Sequence, residues 1–137
     1  MENCLFDKII AKEIPAAIIY EDNATIAFLD IRPTNKGHAL IVPKQHSRNI
    51  LDIETQDLHH LMTVAQKIAH AMRDTLSADG ITTTMNTEPA GGQEIFHTHI
   101  HVIPRFEGDN IFQAPTHTEY EGDEKEDFRE KLSNALS

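Results

Sequence analysis

Residues 96–104 read Phe96-His97-Thr98-His99-Ile100-His101-Val102-Ile103-Pro104, three histidines at every second position followed by an apolar run. In an extended strand successive side chains leave opposite faces. The spacing therefore predicts His97, His99 and His101 on one face, with Thr98, Ile100 and Val102 turned toward a helical layer. The strongest strand of the chain is predicted over residues 95–103, closed by Pro104. Three alternating imidazoles make a poor core, because each buried ring nitrogen left unpaired costs about 1–3 kcal/mol. Two chemistries fit the row. A His-x-His pair, about 6.6 Å apart along a strand, can share a metal ion, although His97 and His101 lie twice that far apart. A neutral imidazole is also a nucleophile toward phosphorus near neutral pH. In that reading the middle ring attacks and its neighbours donate hydrogen bonds to the developing charge. Gly91-Gly92-Gln93, just upstream, would supply backbone amides and a side-chain amide for a phosphate.

Working outward, Phe6, Ile9 and Ile10 stand at helical spacing and predict a short helix that stops before Pro15. Residues 17–20 and 25–29 read as strands of a hairpin around Glu21-Asp22-Asn23. Residues 31–37 read as loop, and residues 38–42 as a strand ending at Pro43. The longest helix is predicted over residues 55–76, where Leu58, Leu61, Ala65, Ile68, Met72 and Leu76 form one apolar face. Thr55 is the predicted cap of its start, and Asp79-Gly80 marks its end. Residues 81–86 are β-prone, residues 88–92 a turn or loop, and residues 124–136 a C-terminal helix. Strands and helices in this order give an α+β fold with a mainly antiparallel sheet.

The chain has 137 residues, which suits one domain over residues 1–137. Its 12 Lys plus Arg against 22 Asp plus Glu leave a net charge of −10, which argues against binding a nucleic-acid backbone but not against holding one small nucleotide. A single cysteine excludes an internal disulfide and a four-thiolate zinc site. No apolar run approaches the roughly 20 residues of a membrane span. The first residues lack the basic and apolar regions of a signal peptide, so a cytoplasmic location is expected. Of the nine histidines, His59, His60, His70 and His117 carry no motif and read as solvated.

The stretch Gly91-Gly92-Gln93-Glu94-Ile95-Phe96-His97-Thr98-His99-Ile100-His101-Val102-Ile103 resembles the signature of the histidine triad (HIT) family, His-φ-His-φ-His-φ-φ with φ apolar. Asn3 to Ile10, Ala27 to Pro33, Gly37 to Lys44 and Asn86 follow the family's order and spacing, so the resemblance covers about residues 3–106 and leaves 107–137 as a C-terminal extension. It implies a HIT-like fold: about five antiparallel strands, one long helix and shorter terminal helices, paired into a homodimer.

For function, the resemblance implies hydrolysis at the α-phosphorus of a purine nucleoside phosphoramidate or related nucleotide conjugate, through a covalent nucleotidyl-histidine. His99 would attack, His97 orient it, His101 contact phosphate oxygens and His38 line the pocket. Asp30 would bind ribose hydroxyls while also capping a turn before Pro33. Leu5, Phe6, Ile9, Phe28 and Ile31 would wall the base, and Asn86, Gln93 and Glu94 would face the phosphate and leaving group. Two departures stand out: Thr98 occupies an apolar position of the signature, and Glu94 one that is often Ser or Thr. The alternatives are a dinucleoside polyphosphate hydrolase and a non-catalytic nucleotide- or metal-binding regulatory module. The reaction would require no cofactor. Some bacterial relatives hold a structural zinc, and the corresponding set here is Cys4, Asp7, His46 and His97, with Asp7 in place of a second thiolate.

Overall fold

The computed structural model describes residues 4–112 and 114–137. Asn3, where the matched stretch begins, lies outside the described residues. The elements run α1 (Leu5–Ile10), β1 (Ile18–Glu21), β2 (Thr25–Leu29), β3 (Ala39–Pro43), α2 (Thr55–Leu76), β4 (Gly80–Thr84), a 3-10 turn at Pro89–Gly91, β5 (Ile100–Arg105) and α3 (Glu124–Leu136). The five strands form one antiparallel sheet in the order β1-β2-β3-β5-β4. This is the α+β architecture expected, an open antiparallel sheet with three helices.

Alternation across β2, β3 and β5 builds two cores. Ala27, Ala39, Ile41, Ile100 and Val102 pack against Leu61, Val64, Ala65, Ile68 and Met72 of α2. Ile26, Phe28, Leu40 and Val42 point the other way, onto Phe6 and Ile9 of α1. Each Val, Leu, Ile, Phe or Met among these contributes about 1.5–3 kcal/mol when fully buried. Both faces of the central strands are therefore covered, and every residue of β3 is buried. The register Leu40↔His101 puts His101 on the α1 face.

Several expectations shift. The last strand begins at Ile100, not Ile95, because Pro43 gives its carbonyl to His97 Nε2–H (2.8 Å) and, as a proline, has no N–H with which to extend the ladder. Pro104 does not close that strand. It lies within β5 opposite Ile81, and its carbonyl accepts from Asn35 Nδ2 (2.9 Å) on the side where β3 has already ended. Thr55 is the first residue of α2 rather than its cap; Glu54 holds the cap position without a side-chain hydrogen bond. The helix ends at Ser77, which adopts a left-handed conformation (φ 57°), and Gly80 already belongs to β4. On α2 the buried face includes Val64, while Leu76 is exposed at the last turn. His60 is not free in solvent: its Nε2 meets Asp22 Oδ2 at 2.7 Å, tying α2 to the β1–β2 turn, where the same oxygen accepts from Tyr20 Oη–H (2.7 Å).

Candidate functional site

The site lies on the α1 face, where the loop entering β5 passes the C-terminal end of β3 at Pro43. Although His97 and His99 precede the strand, the three rings stay together. The His99 and His101 ring centres are 5.0 Å apart, and Phe6 packs T-shaped against the rings of both His97 (centroids 5.9 Å apart) and His99 (5.1 Å). Thr98 points away and is buried, its N–H donating to the Ser47 carbonyl (2.8 Å) and its hydroxyl paired with Ser47 Oγ (2.6 Å). The hydroxyl that departs from the signature is thus fully used. Gly37 admits His38 to the cluster: its φ is +98°, and a Cβ there would meet Leu76 Cδ1 at 3.0 Å.

Fixed hydrogen-bond partners assign the tautomers. A carbonyl only accepts, so His97 carries its proton on Nε2, toward Pro43, and His99 carries its proton on Nδ1, toward the His97 carbonyl at 2.7 Å. The lone pair of neutral His99 is therefore on Nε2. The Thr34 N–H donates to His38 Nδ1 (3.0 Å), so neutral His38 is protonated on Nε2 and donates to His101 Nδ1 (2.9 Å). That leaves His101 with an N–H on Nε2, a free donor. Burial holds all four rings below the ordinary imidazole value, against the opposing pull of Asp30 on His38, His99 and His101. For His101 the value falls to about 4, through burial first and then the neighbouring His99 and His38. At neutral pH the row is uncharged: one nucleophilic nitrogen beside one hydrogen-bond donor.

The remaining predicted residues divide. Asp30 Oδ1 accepts from the Arg32 N–H (2.9 Å), the expected turn cap, while Oδ2 lies 3.8 Å from His38 Nε2. Phe6, Ile9 and Phe28 are buried in the α1 core, Leu5 is partly exposed, and Ile31 is 91 % exposed. His99 keeps 8 % exposure, and His101 and Asp30 are half-buried. Asn86 sits beside the glycine turn, with Nδ2 3.3 Å from the Gly92 carbonyl, and Glu94 is exposed.

Gln93 requires a correction, because its side-chain amide is not available to a phosphate. Both hydrogens are donated, to the Arg48 (2.7 Å) and Ile95 (3.1 Å) carbonyls, and its oxygen accepts from Asn49 Nδ2 and the Glu88 N–H. The amides of Gly91, Gly92 and Gln93 are likewise spent on Glu88 and Pro89 carbonyls. Among the described residues, the backbone N–H groups of Glu94, Ile95 and Phe96 donate to no protein acceptor, and these replace the glycine amides as candidates. Sequence reasoning missed Thr34, Arg48, Asn49 and Glu88. Each acts through a fold-dependent hydrogen bond that leaves no local pattern.

Among the described residues, two side-chain clusters bring potential metal ligands together. Cys4, Asp7, His46 and His97 place one donor atom each within 4.8 Å of one another. Cys4 Sγ and Asp7 Oδ1 both lie 3.4 Å from His97 Nδ1, and Asp7 Oδ2 lies 3.0 Å from His46 Nδ1. Tetrahedral zinc at 2.0–2.3 Å from its ligands needs roughly such separations. His97 is in the correct tautomer, Nδ1 free and Nε2–H on a carbonyl, the usual outer support of a metal-bound imidazole. These residues fit zinc. Asp30, His38 and His101 also lie within 4.8 Å. A metal on His38 Nε2 would, however, drive the ring proton to Nδ1, against the Thr34 N–H. This second set does not fit.

The family model described as HIT domain matches residues 11–108. The chain belongs to the HIT family. A crystal structure of a HIT family member from Bacillus subtilis, 36 % identical, covers 98 % of each chain with a TM-score of 0.89. A zinc-bound histidine triad family protein from Mycobacterium smegmatis is 34 % identical over 98 % of each chain, TM-score 0.78. A HIT family hydrolase from Legionella pneumophila is 41 % identical over 74 % of this chain and 91 % of its own, TM-score 0.66. Among the described residues of this HIT protein, no helix is long and apolar enough to cross a membrane.

Proposed function

We propose that this HIT protein hydrolyses a purine nucleoside phosphoramidate, or a related conjugate with one phosphorus and a small leaving group, through a nucleotidyl-His99 intermediate. The observation that carries the reading is the 2.7 Å bond from His99 Nδ1–H to the His97 carbonyl, which leaves the Nε2 lone pair unshared. His99 Nε2 forms a bond to the α-phosphorus as the P–N bond breaks. The amine leaves with that electron pair and takes a proton from water. The His99 ring, now cationic, keeps its Nδ1–H on the His97 carbonyl while His101 Nε2–H and the amides of residues 94–96 bind the phosphate oxygens. Water then attacks the phosphorus, loses a proton, and releases neutral His99 and the nucleoside monophosphate. Asp30 Oδ2 is free to accept from a ribose hydroxyl, and Leu5 and Ile31 are exposed to meet a base. Support for hydrolysis also comes from the Legionella hydrolase, which shares this fold.

A dinucleoside polyphosphate is the weaker candidate. Its leaving group is strongly anionic, yet the four histidines are neutral, Arg48 is bound to Glu88, Arg105 is bound to Asp109, and Glu94 adds negative charge. A panel of adenosine phosphoramidates, acyl-adenylates and dinucleoside polyphosphates, run on wild type and His99→Ala with chelator present, tests the assignment. Fast phosphoramidate turnover by wild type alone supports it; equal, negligible rates for both proteins overturn it in favour of a non-catalytic binding module.

Three further readings accompany this one. Zinc held by Cys4, Asp7, His46 and His97 would be structural, pinning α1 to the loop before β5, and the zinc-bound mycobacterial relative favours it. A homodimer would use the open β4 edge of the sheet together with the exposed side chains of Ile50, Leu51 and Met62 and the fully exposed α3. Sedimentation giving a monomer mass would remove that reading. A cytoplasmic location accords with a lone thiol, which stays reduced there.

A further inference from the structure

Glu88 is the most strained residue near the site. Its φ of 65° and ψ of 163° fall in a region that only glycine enters freely. Its carboxylate is gripped on both oxygens: Arg48 donates from Nε (2.7 Å) and Nη2 (2.9 Å), and Asn49 from Nδ2 (2.6 Å). Its backbone is equally engaged. The N–H donates to Gln93 Oε1 (2.8 Å), and the carbonyl accepts from the Gly91 (2.9 Å) and Gln93 (3.1 Å) amides. Gln93 then returns its side-chain hydrogens to Arg48 and Ile95, and the Arg48 guanidinium covers the Phe96 ring at 4.2 Å. One carboxylate thus fastens the segment after β3 to the loop whose next residues are His97, with its orienting carbonyl, and His99.

We propose that Glu88 is a positioning residue, its clamp on Arg48 and Asn49 holding the loop of residues 91–97 so that free amides and the His97 carbonyl are preset for the reaction. The proposal rests on the hydrolase reading above. It explains why a strained non-glycine backbone persists here: glycine would relieve the turn but could not bind the two side chains across the loop. Because the clamp presets groups that bind the transition state, its loss should lower kcat more than it raises KM.

The test compares wild type, Glu88→Gly and Glu88→Gln in the full chain, with kinetics on an adenosine phosphoramidate, thermal midpoints and hydrogen exchange of the Gln93 and Thr98 amides. Glycine suits the backbone, so Glu88→Gly should fold with a midpoint within a few degrees of wild type. Its kcat should drop about 10-fold with KM changed less than about 3-fold, and both amides should exchange at least about 10-fold faster. Glu88→Gln keeps one acceptor oxygen and should recover part of kcat. Wild-type kcat in Glu88→Gly overturns the proposal while leaving the hydrolase reading intact. So do losses in both variants that merely follow their thermal midpoints. A wild type without turnover overturns both readings.

Discussion

The two clusters on the α1 face present nearly the same donor groups, with the ring proton facing out of one and into the other. Cys4, Asp7, His46 and His97 on one side, and Asp30, His38 and His101 on the other, each bring carboxylate and imidazole donors within 4.8 Å. What separates them is the partner of the nitrogen that points away. In the first, His97 Nε2–H is satisfied by the Pro43 carbonyl, so Nδ1 is free for a metal ion. In the second, the Thr34 N–H occupies His38 Nδ1, so the proton stays on Nε2 and passes hydrogen-bonding direction on to His101. A donor inventory alone does not separate the two clusters; the outer hydrogen bond, which sets where each ring carries its proton, does. His97 serves both sides at once, with its ring in one cluster and its carbonyl steering His99.

The largest effect should come from His99→Ala, which is expected to cut kcat on an adenosine phosphoramidate by at least about 1,000-fold while leaving zinc content unchanged. An AMP adduct trapped on wild type and absent from the variant, read by mass spectrometry, checks the same step. Next, a Cys4→Ala, His46→Ala double variant should bind no stoichiometric cobalt and lose the metal-dependent rise in thermal midpoint, with kcat reduced less than about 10-fold. Cobalt retained by the double variant at His38 and His101 would break the comparison, because the Thr34 N–H would not then be excluding it. Acid should act more gradually. His101 has a value of about 4 folded against 6.5 when free, so the unfolded chain binds more protons over that interval. Its contribution to stability is complete above about 6.5 and is lost as the pH falls toward 4, seen as a declining denaturation midpoint. The smallest signal is also the most specific. At neutral pH, nitrogen-15 spectra of the rings should show His99 protonated on Nδ1 and His38, His97 and His101 protonated on Nε2. An Nδ1 proton on His38 would erase the distinction between the clusters.

The fold was legible where period and burial agree. Leu61, Ala65, Ile68 and Met72 mark α2 at helical steps, and the runs around Ile26 and Ile41 are apolar throughout because helices cover both faces of their strands. The row of histidines was legible for the same reason, since alternation survives even where the ladder does not. Harder to read was anything decided between distant segments. Pro43 stops β5 from extending toward Ile95 because its carbonyl is taken by a ring 54 residues later. Gln93 looks like a phosphate ligand until Arg48 and Asn49, more than 40 residues earlier, claim its amide. His60 looks solvated until Asp22 is folded against it. Thr34 and Glu88 belong to the same class: ordinary loop residues by type, consequential by partner.

The sheet is sealed on both sides at its centre, with β2 and β3 enclosed between α1 and α2. Its perimeter differs, because β1 and β4 each have a free flank. The two rims of the sheet are thus where a further strand could join without disturbing the buried centre.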